Sequence, residues 1–238
     1  MKMFIGSKRY STWSLRPWLL YRYFELPFDE EVILFETKSG ARELADQTKA
    51  HMRSVSPNGR LPVLHTDQQL WINESLSICE YANEHFLEGR AWPAEPEKRY
   101  LAKSRTLEMA TGFLGLRQFL PMSIGAATSS ISPAPPGARA DIDRVIDILQ
   151  ACLEPQARPE FLFGPFGIVD AFYAPIVFRF ETYRVEVPSI VGQYFQRLSS
   201  LAAMKEWCDA AAREPVLIDE IDAIVRSYPE ASAASCKI

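Results

Sequence analysis

The chain has 238 residues, 47% of them apolar and 24% charged, a balance that suits one or two globular domains with real cores. A net charge of −4 and an isoelectric point near 5.5 give no electrostatic reason to expect nucleic acid or an anionic membrane surface as a partner. The most apolar stretch, residues 161–180, contains Asp170, Arg179, Gly164, Gly167, Pro165 and Pro175, so it reads as a buried helix with its approach loop rather than a membrane span.

In chain order, residues 3–5 read as a short strand closed by Gly6. Ser14 is the expected N-cap of a helix running through Leu15, Trp18, Leu19 and Tyr23, with Pro17 tolerated in its first turn. Residues 31–34 read as a second strand and residues 41–52 as a weak helix. Two short strands, 62–65 and 69–72, flank the turn residues Thr66, Asp67 and Gln68. Residues 74–86 form a strong helical pattern, apolar at Leu76, Ile78, Cys79, Tyr81 and Ala82. A β-α-β unit requires a right-handed crossover and a parallel strand pair, and the hairpin adds antiparallel strands. The expected first domain is therefore α/β, a mixed four-stranded sheet with helices on its faces.

Around residues 91–96 the character changes, and Pro93 and Pro96 mark a linker. Helices are expected over residues 98–120, 138–153, 168–181, 188–199 and 204–213, with a Ser/Pro/Gly-rich break at 129–137 and no strand. The expected division is residues 1–88, a linker at 89–97, and an all-α domain over 98–238. Cys79, Cys152, Cys208 and Cys236 are scattered and form no CxxC pair, so neither zinc nor a disulfide framework is expected, and the default setting is reducing and cytoplasmic. Cys79 is expected to be buried and inert. His51, His65 and His85 lack a metal-ligand spacing and read as structural.

Three segments of the first domain carry chemistry. Tyr10-Ser11-Thr12-Trp13-Ser14-Leu15-Arg16 joins the first strand to the first helix, where ligands bind in α/β sheets and where free N–H groups favour an anion. In Ser56-Pro57-Asn58-Gly59-Arg60-Leu61-Pro62-Val63-Leu64, a cis Leu61-Pro62 bond would leave the Leu61 main chain free to pair with a ligand backbone. Glu74-Ser75 opens a helix directly after a strand. There Glu74 can take an ammonium group, while the Ser75 hydroxyl and nearby N–H groups take a carboxylate.

In this order and spacing, the three segments resemble the glutathione-binding half of cytosolic glutathione transferases, whose first domain is thioredoxin-like. Phe161-Leu162-Phe163-Gly164, followed by Ile168-Val169-Asp170-Ala171 and Ala174-Pro175, resembles the helical half of the same family. The resemblance implies that glutathione is the co-substrate, with Ser11 touching its sulfur and Tyr10 as the rival for that role. It implies that Leu61 pairs with the cysteinyl backbone and that Glu74 and Ser75 hold the γ-glutamyl end. Arg60, and behind it Gln47, are candidates for the glycine carboxylate, and Met109 and Phe113 for the electrophile pocket. The family usually has Ser or Thr where Gly167 stands, so half of a capping box before Asp170 is expected to be missing. A homodimer acting on a small electrophile is implied. The alternatives are a glutathione-dependent isomerase of the maleylacetoacetate type, against which Trp13 argues, and a non-catalytic binding module.

Overall fold

Short apolar runs bounded by turn residues give the first half its sheet. In the computed structural model, which describes residues 1–38, 43–128, 131, 134–156, 160–228 and the backbone of 232–233, β1 (Lys2–Gly6) lies inside the sheet with Met3 and Ile5 fully buried. It pairs in parallel with β2 (Asp29–Ile33) and antiparallel with β3 (Val63–His65), which pairs antiparallel with β4 (Trp71–Asn73). The order β2-β1-β3-β4 is the expected mixed sheet. The helices α1 (Thr12–Tyr23), α2 (Asp46–Val55) and α3 (Ser75–His85) complete this half. Of the weak helix expected at 41–52, the start at 41–42 lies outside the described residues; α2 begins at Asp46.

The N-cap of α1 is Ser11, not Ser14: the Ser11 hydroxyl accepts from the Ser14 N–H, and the helix starts three residues earlier than its apolar pattern suggests. Pro17 then sits within the helix rather than in its first turn. It cannot donate to the Trp13 carbonyl, and the Ser75 hydroxyl fills that vacancy at 2.7 Å, tying α3 to α1.

The second half contains α4 (Pro96–Thr111), α5 (Leu114–Phe119), α6 (Pro136–Leu153), α7 (Ile168–Thr182), α8 (Ser189–Ser200), α9 (Ala202–Ala212) and α10 (Asp219–Arg226). The single helix expected at 98–120 is broken. Gly112 ends α4 where a Cβ would lie 2.9 Å from the Glu108 carbonyl oxygen, and Phe113 takes the left-handed conformation at φ 60. The break expected at 129–137 lies largely outside the described residues. Contrary to the expectation of no strand, β5 (Ala126–Ala127) and β6 (Ser232–Ala233) form a two-residue ladder, and α10 was not expected.

Helix α7 runs through the centre with nearly every residue buried. Its start answers the missing half of the capping box. The Asp170 carboxylate accepts from Gly167 N (2.9 Å), Leu162 N (3.0 Å) and the Tyr194 hydroxyl (3.0 Å). The carbonyl of Ala91 accepts from Ile168 N at 3.0 Å, satisfying one of the first-turn N–H groups of α7. Gly167 is required for that approach, because a Cβ there would stand 2.6 Å from the Ala91 oxygen.

One apolar core runs through both halves, joining Met3, Ile5, Trp18 and Ile78 to Phe172, Met204 and Trp207. Polar contacts seal the same seam. Trp207 donates to the Lys8 carbonyl at 2.9 Å, and Glu214 accepts from the N–H groups of Lys8 (2.6 Å) and Arg9 (3.1 Å). Cys79 and Cys152 are free, and burial pushes both thiols up, Cys152 to about 11. Cys208 is disulfide-bonded, a bond that the scattered cysteine spacing did not suggest; Cys236 lies outside the described residues. Among the described residues no helix is long and apolar enough to cross a membrane.

Candidate active site

A cavity of about 140 Å³ opens where the α1 turn, the β3 approach and the start of α3 meet, lined by Trp13, Asn58, Arg60, Leu61, Pro62, Glu74 and Ser75. Four of the residues named from the sequence thus share one wall set. The Leu61-Pro62 bond is cis, and the ladder ends at the Val63–Asn73 pair, so Leu61 lies beyond it. The turn that carries Arg60 is locked from within. The Arg60 N–H donates to Ser56 Oγ (3.1 Å) and Asn58 Oδ1 (3.0 Å), and the Ser56 hydroxyl donates to the Arg60 carbonyl (2.6 Å). The Arg60 guanidinium is left exposed at the cavity rim.

Glu74 occupies φ 66, a conformation costly for a side chain with a Cβ, and its exposed carboxylate lies 3.4 Å from the Asn58 amide nitrogen. Strain of this kind persists where surrounding structure imposes it, and here it aims Glu74 into the cavity. Ser75 is buried, and its hydroxyl proton is committed to the Trp13 carbonyl. What it presents to a ligand is the unpaired N–H of the first turn of α3.

Ser11 stands at the amino end of α1, 6% exposed and outside the cavity lining. Its hydroxyl is paired with Ser14 Oγ at 2.8 Å, and Ser14 Oγ also accepts from Gly6 N at 3.0 Å. Tyr10 points elsewhere. Its hydroxyl donates to Asp222 at 2.8 Å and accepts from Ile218 N at 3.0 Å, and burial raises its pKa. Gln47 donates to Glu36, away from the cavity. Met109 and Phe113 are buried beside the α4–α5 break and line none of the described cavities. His51 pairs with Glu31, His65 stacks on Trp71, and His85 bonds the Tyr81 carbonyl.

Sequence reasoning missed Trp13 and Asn58 as cavity walls. The signal for Trp13 was its place between Thr12 and Ser14 at a helix start. A large apolar residue is a poor choice there for capping and a good one for facing a ligand.

Two family models match the chain: the glutathione S-transferase N-terminal domain over residues 10–85 and the glutathione S-transferase C-terminal domain over residues 99–210. A probable maleylacetoacetate isomerase of Vibrio cholerae is 26% identical over 173 residues, covering 70% of this chain and 79% of the relative. Among solved structures, a glutathione transferase homologue from Burkholderia with bound glutathione aligns with TM-score 0.66 at 18% identity, covering 90% of this chain and 98% of its own. The holo structure of maleyl pyruvate isomerase, a bacterial glutathione transferase of the zeta class, aligns with TM-score 0.65 at 18% identity over 92% of this chain and 100% of its own.

Proposed function

Because the chain belongs to the glutathione S-transferase family, we propose that it binds glutathione in the cavity between Trp13, Leu61 and Glu74 and activates its thiol for attack on an electrophile. The observation that carries this reading is the convergence on one cavity of a free main chain at Leu61, a carboxylate at Glu74, a helix amino end at Ser75 and a cation at Arg60. These are the four complements of a γ-glutamyl tripeptide. Leu61 pairs with its cysteinyl backbone, Glu74 takes the ammonium, the Ser75 N–H takes the adjoining carboxylate, and Arg60 takes the terminal one.

Activation falls to Ser11. A free thiol of pKa about 8.5 is only about 3% thiolate at pH 7, and lowering it by roughly two units asks for about 2.7 kcal/mol. One charge-assisted hydrogen bond and a helix amino end are of that size. The Ser11–Ser14 pair supplies the donor. A hydroxyl pair 2.8 Å apart can reverse its direction, with Ser14 donating to Ser11 and Ser11 turning its proton to the sulfur. Ser14 is well placed for that exchange because the Gly6 N–H fixes its oxygen. The thiolate then forms the new C–S bond to an electrophile held near the α4–α5 break, where Met109 and Phe113 lie, and the leaving group departs with its electron pair.

The reading takes residues 1–88 and 98–238, joined by 89–97, as the two working units of a cytoplasmic homodimer. Exposed Leu70 and Trp71 on the open edge of the sheet, with Tyr100 and Leu107 seven apart on α4, supply apolar surface for a second copy. Retention on immobilised glutathione, together with turnover of several electrophiles, tests the reading. Binding without turnover on any of them would leave only a binding module.

A further inference from the structure

The turn that ends at Ser11 is held from outside its own half of the chain. Within it, the N–H groups of Tyr10 (3.1 Å) and Ser11 (2.8 Å) both donate to the Ser7 carbonyl. The N–H groups of the two middle residues, Lys8 and Arg9, have no partner inside such a turn. Glu214, in the connection between α9 and α10, takes both: Oε1 accepts from Lys8 N at 2.6 Å and Oε2 from Arg9 N at 3.1 Å. One carboxylate thus spans two successive main-chain donors, a charge-assisted fork that fixes direction as well as distance. The two carbonyls are held as well. Lys8 O accepts from Trp207 Nε1 at 2.9 Å and Arg9 O from Ile124 N at 3.1 Å, while the Arg9 guanidinium donates back to the Ile124 carbonyl at 2.7 Å. Every main-chain polar group of Lys8 and Arg9 is therefore bonded to the helical half.

Ser11 follows Arg9 by two residues, and its N–H is tied to the first residue of the same turn. Any rotation of the turn carries the Ser11 hydroxyl with it. A hydrogen bond to a thiolate weakens steeply as it leaves its line, so the turn must be fixed if the hydroxyl is to lower a thiol pKa. The charge of Glu214 by itself works against a second anion at the amino end of α1. A benefit from Glu214 to ionisation can come only through the geometry it imposes, and charge and geometry therefore predict shifts of opposite sign.

We propose that Glu214 is a positioning residue for thiol activation: by clamping the Lys8 and Arg9 amides it holds the Ser11 hydroxyl in line with the glutathione sulfur. The helical half then takes part in ionising the thiol as well as in holding the electrophile. The inference rests on the glutathione reading, with Ser11 as the donor to the sulfur.

The test follows the thiolate absorbance of glutathione bound to the full chain against pH, with the affinity for S-methylglutathione measured alongside by calorimetry. Glu214→Gln keeps the shape and one acceptor but turns an amide N–H toward the other donor. It is expected to raise the pKa of the bound thiol by about half a unit or more, a threefold loss of thiolate below that pKa. S-methylglutathione, which has no thiol proton, is expected to bind within about twofold of the unaltered protein. In a Ser11→Ala background the same substitution is expected to move the pKa no further, because Glu214 acts through Ser11. A pKa that stays in place or falls overturns the proposal, a fall being what loss of the charge alone produces. So does a shift of full size in the Ser11→Ala background, or a loss of S-methylglutathione affinity as large as the loss of thiolate. If Glu214→Gln fails to fold by circular dichroism, Glu214→Asp, one methylene shorter, is read in its place with the same expected rise. An unaltered protein that does not bind S-methylglutathione overturns the glutathione reading and this inference together. Binding with a lowered thiol pKa that the Glu214 variants leave unchanged overturns this inference alone.

Discussion

At the scale of single residues, Ser11, Ser14 and Tyr10 make separable predictions. Ser11→Ala is expected to raise the pKa of bound glutathione, followed by thiolate absorbance, by about one unit or more. Ser14→Ala is expected to raise it less, and to add nothing in a Ser11→Ala background, because Ser14 acts only through Ser11. Tyr10→Phe is expected to leave that pKa in place and instead lower stability by about 1–3 kcal/mol in urea unfolding, since it strands the Ile218 N–H and removes the donor to Asp222 Oδ2. A pKa that moves with Tyr10 and not with Ser11 would reverse the assignment. The serine and tyrosine could not be separated from the sequence, because both sit in the same turn. Only the folded chain shows that the Tyr10 phenol reaches α10, more than two hundred residues away in sequence.

At the scale of elements, the start of α7 sets two further expectations. Gly167→Ala drives a Cβ to 2.6 Å from the Ala91 oxygen, a contact with backbone that cannot swing aside, and is expected to cost about 1–3 kcal/mol in thermal unfolding. Asp170 titrates unusually: burial outweighs its donors and raises its carboxyl from 3.8 to about 6. An acid raised in the folded state binds its proton more tightly there than in the unfolded chain. Its stabilising contribution is therefore complete below pH 3.8 and is lost as pH rises through about 6. Against Asp170→Asn, which does not titrate, the wild type is expected to lose on the order of 3 kcal/mol of relative stability between pH 4 and 7. A flat difference across that range would contradict it. The strands and most helices were legible because residues such as Met3, Ile5, Ile78 and Val145 follow simple periods. The α4–α5 break was not, because Phe113 gives no sign of a left-handed backbone, and α10 is short and polar with only Val225 buried along it. The cavity was legible through Leu61, Glu74 and Ser75, whose proposed roles follow from a freed main chain, a carboxylate and a helix amino end. Trp13 was not, because its meaning comes from what packs around it.

At the scale of the whole molecule, one apolar core joins the two halves. Across the seam, Trp207 and Glu214 hold the backbone of Lys8 and Arg9 from the far end of the chain. Heating is therefore expected to show one transition whose calorimetric and van't Hoff enthalpies agree, despite the two-part architecture. Two resolved peaks would mean that the seam opens independently.

The closure of α7 by the Ala91 carbonyl also bears on any attempt to split the gene. Fragments cut after the second proline would leave that oxygen on the amino-terminal piece and deprive the other of the start of its central rod. Fragments cut between His85 and Gly89 would carry it along. Of two such split pairs, the earlier cut is the one expected to reassemble when co-expressed.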